Sequence, residues 1–167
     1  MRSLLIPLLL AALAGAAACG GARKRGVVDP DFACKDRRIE YVETGGMMYA
    51  EEGVRLRCDG DVPSIERYFT KKDGQEHKQD GTLAAGAWDR AWQEFDSAGW
   101  RNLSDCSNPK AGDRDPVHTF EVSNGTITRT FMCPGATLPF PYEALRNAID
   151  AVAAELPLDR GAGNPGE

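Results

Sequence analysis

Histidine is scarce in this chain of 167 residues, which contains only His77 and His118. The Gly-x-Ser-x-Gly, His-Glu-x-x-His and glycine-rich phosphate-binding motifs are also missing from the sequence. Without titratable residues clustered at a suitable spacing, the sequence predicts a protein that is not an enzyme and binds no cofactor or metal. His118 shares a strand pattern with Phe120, and this context predicts a buried, hydrogen-bonded histidine.

Basic residues are too few to balance the acidic ones. Lys and Arg number 20 against 25 Asp and Glu, so the net charge is −5. Such a protein repels the phosphate backbone, and nucleic acid is therefore not an expected partner.

The acidic residues form no recognisable site. One loop contains several potential calcium ligands: Asp105, Asn108, Asp113 and Asp115. Their spacing is not that of an EF-hand, which favours a solvated loop. Glu51 and Glu52 are adjacent on a predicted strand and point to opposite faces, so they cannot act together on one substrate.

No hydrophobic run is long enough to cross a bilayer. The longest, residues 4–13, follows Arg2 and precedes small residues that end at Ala18. This layout is typical of a secretory signal peptide, which we assign to residues 1–18.

Cys19 follows three alanines and precedes Gly20, an arrangement that resembles a bacterial lipobox. The resemblance implies that the Cys19 thiol is lipidated and becomes the new N-terminus. The alternative is ordinary cleavage after Ala18, which would leave a free thiol. The chain has five cysteines, and setting Cys19 aside leaves four that can pair, which favours lipidation.

These features divide the chain into four parts. After the signal peptide, residues 19–31 are expected to form a lipidated N-terminus and a flexible tether, residues 32–156 a single domain, and residues 157–167 a disordered tail. The predicted location is a bacterial membrane, where the protein is held through its N-terminal lipid on a periplasmic or outer-membrane face.

The remaining cysteines are expected to form disulfides, because the chain is exported and no Cys-x-x-Cys spacing supports zinc. Four cysteines allow three pairings. Cys34 and Cys58 are equidistant from Gly46 in the first predicted hairpin, which favours a Cys34–Cys58 bridge and leaves Cys106 to pair with Cys133.

The predicted Cys34–Cys58 bridge creates a difficulty of register. It places Ile39 opposite Gly53 and mismatches the apolar faces of the two strands. We therefore expect a one-residue bulge near Gly45-Gly46.

Alternating apolar and polar residues predict three strands, at residues 37–43, 52–58 and 64–70. The short connections between them require an antiparallel meander. The wholly polar segment 71–82 is predicted to be a mobile loop.

A helix is predicted within residues 87–100. Its apolar residues recur at helical spacing: Trp88, Ala91, Trp92 and Phe95. Gly99 is expected to end this helix, and Trp100 to fold back on its last turn. A second amphipathic helix is predicted at residues 142–156, with Pro141 in its first turn.

A second hairpin is predicted from residues 117–122 and 126–133, which flank Asn124-Gly125. A two-residue turn sets the register: Val122 opposite Ile127, Phe120 opposite Arg129, and His118 opposite Phe131. The order β-β-β-α-β-β-α lacks a βαβ unit and predicts an α+β fold, in which two amphipathic helices pack on an antiparallel sheet.

The first hairpin ends in a candidate protein contact: Gly45, Gly46, Met47, Met48 and Tyr49. Two glycines allow a sharp turn, and exposed methionines form an adaptable surface. The alternative is that the large side chains fold inward and cap the sheet.

Over residues 36–156 the order of these signals resembles that of the emfourin-like proteins, small inhibitors of thermolysin-type metalloproteases. The matching segments are Glu43-Thr44-Gly45-Gly46, Gly81-Thr82-Leu83 before the tryptophan helix, the hairpin at 120–131, and Leu138-Pro139 before the closing helix. Unlike this chain, that family usually lacks a leader and paired cysteines. The expected function is a cell-envelope lipoprotein that binds another protein without catalysis. The resemblance implies the alternative, a membrane-tethered inhibitor of a secreted thermolysin-type metalloprotease.

Overall fold

The computed structural model describes residues 34–47 and 49–158, and over these residues six strands form one antiparallel sheet. The strands are β1 (Arg38–Thr44), β2 (Tyr49–Asp59), β3 (Val62–Lys71), β4 (Glu76–Thr82), β5 (Val117–Ser123) and β6 (Thr128–Pro134). Their spatial order is β4-β3-β2-β1-β5-β6. Two helices accompany this sheet, which confirms the predicted α+β class.

The first helix, α1 (Ala85–Ala98), forms where the spacing of the aromatic residues predicts it. Its buried residues are Ala87, Trp88, Ala91, Trp92 and Phe95. Gly99 ends the helix at φ +72°, a left-handed conformation that glycine adopts without a Cβ clash. Trp100 opens a short 3-10 turn (Trp100–Asn102) and is fully buried, as the sequence predicts.

The second helix, α2 (Tyr142–Ala153), crosses the strands. Near its start the Tyr142 ring lies 5.9 Å from the Phe131 ring of β6. Near its end Arg67 of β3 donates hydrogen bonds to the carbonyls of Ala153 and Leu156, at 2.9 and 3.0 Å. Because these carbonyls lie at and beyond the last turn, Arg67 stabilises the end of the helix. The helix ends at Ala153 and is therefore shorter than the predicted 142–156.

Three rows of side chains cross the helix-facing side of the sheet, and their polarity changes toward one end. In the first row Ile39 lies between Leu56 and Val122, and in the second Tyr41 lies between Val54 and Phe120. In the third row Glu43 lies between Glu52 and His118. Over β1, β2 and β5 the apolar core therefore ends at this third row, and a polar margin follows beside α2.

The prediction of a mobile loop at residues 71–82 is wrong for most of this segment. Residues 76–82 form β4, which pairs with β3 in continuous register from Ser64↔Thr82 to Thr70↔Glu76. An edge strand is hydrogen-bonded on one side only, and every second side chain of β4 is exposed to water. This strand is therefore defined by its backbone pairing with β3, which the pattern of hydrophobic residues in the sequence does not reveal.

The predicted register of the second hairpin is also wrong. The observed pairs are Val122↔Arg129, Phe120↔Phe131 and His118↔Cys133. Asn124 closes a longer turn, since its side-chain oxygen accepts the Ile127 N–H at 2.8 Å and its own N–H donates to the Ile127 carbonyl. This turn places both phenylalanine rings in the core, 5.4 Å apart, which a two-residue turn would prevent.

Both predicted disulfides are present, Cys34–Cys58 and Cys106–Cys133. The register expected from the first is wrong, because Ile39 lies opposite Leu56 rather than Gly53. Cys34 lies in a 3-10 turn (Cys34–Asp36) ahead of β1, and this turn brings it to Cys58 without a bulge at the glycines. Two disulfides are typical of a protein that folds in an oxidising, exported environment.

Candidate functional site

The tip of the first hairpin, residues 45–49, projects one methionine into solvent. Gly45 has φ +80°, and its N–H donates to the Ala50 carbonyl at 3.2 Å. Met47 is 94% exposed. Tyr49 is half-buried, and its ring lies 4.6 Å from that of Phe69. Both sequence interpretations thus hold in part: Met47 is displayed, whereas Tyr49 caps the sheet; Met48 lies outside the described residues.

A cleft of about 750 Å³ opens beside this tip. Its lining residues are Glu43, Gly45, Gly46, Met47, Tyr49, Glu52, Arg114, Asp115, Pro116, His118, Ala136 and Arg146. A second depression of about 380 Å³ runs along α2 and shares Glu43, Glu52 and Arg146 with the first. The polar third row of the sheet thus forms the floor of a continuous groove next to the exposed methionine.

His118 is buried at the inner wall of the cleft, and both of its ring nitrogens are engaged. Nε2 lies 2.9 Å from the Gly135 carbonyl, which can only accept, so Nε2 carries a proton. In the neutral ring Nδ1 is then an acceptor, and the Tyr41 hydroxyl donates to it at 2.7 Å. Burial lowers the pKa of His118 and raises that of Tyr41, which keeps both groups uncharged.

This arrangement confirms the prediction of a buried, hydrogen-bonded histidine. The His118 side chain is only 1% exposed, and both nitrogens bind protein groups. It therefore orients the Tyr41 hydroxyl and holds the Gly135 carbonyl, rather than presenting a nitrogen to a molecule in the cleft.

Two carboxylates meet in the third row, a pairing that the sequence analysis did not identify. Glu43 and Glu52 are direct cross-strand partners. Glu51, as predicted, alternates to the other face, so the neighbour of Glu52 across the groove floor is Glu43 rather than the adjacent residue in sequence. The sequence does contain a signal for this pair. If the apolar residues of the two strands are placed opposite each other, Ile39 with Leu56 and Tyr41 with Val54, the resulting register also places Glu43 opposite Glu52.

Two guanidinium groups compensate the carboxylate pair. Arg146 Nη2 lies 3.7 Å from Glu43 Oε2, and Arg67 Nη2 lies 3.5 Å from Glu52 Oε1. Arg146 Nε also lies 3.7 Å from Asp150 on the next turn of α2. Like charges placed directly opposite destabilise a sheet, so these cations are needed to hold the pair together.

The potential calcium ligands of the loop at residues 105–115 make separate structural contacts. The Asp105 carboxylate accepts the Met132 N–H at 2.8 Å, and that of Asp115 accepts the Gly112 N–H at 2.9 Å. Asn108 donates to the carbonyls of Pro134 and Thr137. Within residues 34–47 and 49–158, no three His, Cys, Asp or Glu side chains are grouped so that they could hold a metal ion.

The predicted membrane features lie elsewhere in the chain. Cys19, the signal peptide at 1–18 and the tether at 19–31 fall outside the described residues, as does residue 159 onward. In the described part of the chain no helix has the length and hydrophobicity to cross a membrane.

A scan against protein-family models gave no match for this chain, and a search of the curated proteins also gave none.

Proposed function

We propose that this chain is an exported cell-envelope lipoprotein that binds another protein without catalysis, and that the 45–49 tip is its contact surface. The observation that carries the proposal is the exposure of Met47 beside an open groove. A methionine that is almost wholly in water contributes nothing to the core, whereas its flexible, polarizable side chain suits an adaptable contact.

The tip is supported by backbone pairing and by side-chain packing. Gly45 donates a hydrogen bond to Ala50, so β1 and β2 stay in register up to the turn, and Tyr49 packs on Phe69 beside a register shift between β2 and β3. The Cys34–Cys58 disulfide fastens the far end of the same hairpin. A contact residue on a fixed support loses less conformational entropy on binding than one on a long mobile loop.

Lipidation at Cys19 would hold this surface near a membrane. The flexible tether predicted at residues 20–31 would span on the order of 20 Å. Confinement at that distance raises the effective concentration of the tip toward a membrane-proximal partner.

Site-specific photo-crosslinking tests the proposal. A photoreactive residue is placed at position 47 and, as a control, at position 62, because Val62 is 52% exposed at the start of β3, beside the end of β2 that is far from the tip. We expect a discrete crosslinked species from position 47 alone, abolished in competition by the unlabelled protein but not by its Met47→Asp variant. Equal crosslinking from both positions, or competition by Met47→Asp, would contradict the tip as the contact.

The alternative function is a membrane-tethered inhibitor of a thermolysin-type metalloprotease. A projecting tip on a disulfide-fastened hairpin favours it, because such a segment could enter a protease cleft and resist cleavage. The test is hydrolysis of a fluorogenic peptide by a thermolysin-type protease with increasing amounts of this protein. Stoichiometric inhibition that Met47→Asp removes is expected of an inhibitor, and unchanged hydrolysis rules it out for that protease.

A further inference from the structure

We propose that the cleft beside the 45–49 tip receives a basic side chain, lysine or arginine, from the bound partner. The inference rests on the proposed function and adds the chemistry of the partner. The two carboxylate oxygens of Glu43 have different surroundings.

One oxygen of Glu43 is engaged within the protein and the other is open. Oε2 lies 3.7 Å from Arg146 Nη2 and 3.2 Å from the Tyr41 hydroxyl, whose single proton is shared between Oε2 and the closer His118 Nδ1. Oε1 lies on the side of Gly46, where a Cβ atom would be 3.4 Å away. No residue among 34–47 and 49–158 donates a hydrogen bond to Oε1. Oε1 is therefore placed to accept a hydrogen bond from a group that enters the cleft.

The charges of the cleft favour a cationic donor. Over the cleft and the adjoining depression, carboxylates outnumber guanidinium groups by four to three: Glu43, Glu52, Asp115 and Asp150 against Arg67, Arg114 and Arg146. The neutral state of His118 adds no positive charge. The whole chain carries a net charge of −5, so the long-range field also attracts a basic partner and repels an acidic one.

The walls of the cleft suit the aliphatic part of a long basic side chain. Met47 and Tyr49 of the tip line the cleft together with Pro116 and Ala136. Lysine and arginine place their methylene stems on apolar surface while the charged head reaches a polar group. An aromatic wall adds attraction for a cation. A volume of about 750 Å³ exceeds what one such side chain needs, so part of the partner's backbone also fits.

Short capped peptides test the chemistry with the full chain in its oxidised form. Four five-residue probes differ only in the central residue, which is lysine, arginine, norleucine or glutamate, and backbone amide shifts report binding. We expect saturable shifts at residues 43–46 and 114–118 with lysine and arginine, and at least tenfold weaker binding of norleucine. Equal or tighter binding of the glutamate probe would overturn the assignment.

Variants locate the charge that matters. Glu43→Gln is expected to weaken the lysine probe about tenfold, or about 1.4 kcal/mol. Glu52→Gln should act in the same direction, and it serves as a second variant if loss of the Glu43 contacts impairs folding. Glu51→Gln removes the same charge from the opposite face of the same strand and should change affinity less than twofold.

The outcomes separate this inference from the function on which it rests. If Glu51→Gln weakens the probe as much as Glu52→Gln, only the general field acts and the cleft is not the site. Crosslinking at position 47 without binding of the basic probes would leave the protein-binding function standing and refute the basic side chain. Binding of the probes without crosslinking would refute the tip as the contact instead.

Discussion

The ring of Tyr68 lies over Gly53, its cross-strand neighbour on the face of the sheet away from the helices, so that a Cβ atom on Gly53 would be 2.3 Å from Tyr68 Cζ. The Arg55 guanidinium lies 4.4 Å from the ring centre. Tyr68 is consequently only 3% exposed on a face that no helix covers, and burial raises its pKa to about 12. Gly53 is thus required for a close approach of side chain to backbone.

Gly53→Ala is expected to lower the free energy of unfolding by about 1–3 kcal/mol, because the methyl group would displace a well-packed ring. Denaturant unfolding measures the loss. Gly86→Ala is the matched control: in α1 the new Cβ would meet only Arg90 Nη1, at 3.5 Å. That change should raise stability by about 0.5–1 kcal/mol, as alanine does in a helix. A neutral Gly53→Ala would show that the ring moves aside at little cost.

Trp92→Ala should cost about 3–5 kcal/mol, the usual loss for a buried large aromatic residue. Trp92 is 2% exposed and packs between the rings of Trp88 and Trp100, at 5.9 and 6.3 Å. The neighbouring Gln93 is exposed, and Gln93→Ala should change stability by less than about 0.5 kcal/mol. A loss below about 1 kcal/mol for Trp92→Ala would contradict its place in the core.

Local patterns predicted the parts of the fold that bury apolar residues periodically. The stripe on α1, its end at Gly99 and the alternation around Ile39 all specify local structure without knowledge of the neighbours. β4 was missed because the inward residues of this edge strand include His77 and Gln79, so its sequence shows no alternation. Only backbone pairing with β3 makes it a strand.

Register was the other property that local patterns did not determine. The Asn124-Gly125 pair favours a two-residue turn, but burying Phe120 against Phe131 outweighs that preference. The same limitation hid the candidate site. Met47 could be identified from its place after two glycines, whereas the proximity of Glu43 to Glu52 depends on how two strands are aligned.

Removing Cys106–Cys133 should cost more than removing Cys34–Cys58. Each disulfide closes a loop of similar length, with sequence separations of 27 and 24, so the chain-entropy contribution is about 3 kcal/mol in both. Cys133 is fully buried, whereas Cys34 and Cys58 are half-buried. Replacing both cysteines of a disulfide by alanine therefore adds a cavity only for the Cys106–Cys133 pair. Equal losses in denaturant unfolding would mean that the core closes around the missing sulfur.

Cys19→Ser should move the protein from the membrane fraction to the soluble fraction and abolish labelling by a fatty-acid probe, because the acylated thiol is the proposed anchor. The matched control is Cys106→Ser with Cys133→Ser, which removes the two sulfur atoms of a disulfide in the folded part and should leave partitioning unchanged. Membrane association that persists in Cys19→Ser would refute the lipid anchor.

The stability of the folded chain should depend on pH through His118. The groups that face its ring are Tyr41 and Glu43 on β1, Arg146 and Asp150 on α2, and the Gly135 carbonyl. Burial lowers the pKa of His118 below its ordinary value of 6.5, so the unfolded chain takes up a proton at a higher pH than the folded one. Stability must therefore fall as the pH decreases through 6.5, by up to about 1.4 kcal/mol per pH unit.

Urea unfolding between pH 7.5 and 5.5 measures this slope. The window excludes Glu66, whose pKa burial alone would raise but the Arg55 guanidinium holds below its usual 4.5, so its contribution is lost only in more acidic solution. His118→Gln should lose stability at pH 7.5, because Tyr41 and Gly135 lose their imidazole partner, and should show a flatter slope. His77→Gln, which removes the only other histidine, is the comparison variant. If the slope disappears in His77→Gln and persists in His118→Gln, the proton that couples to folding binds at β4 rather than at the wall of the cleft.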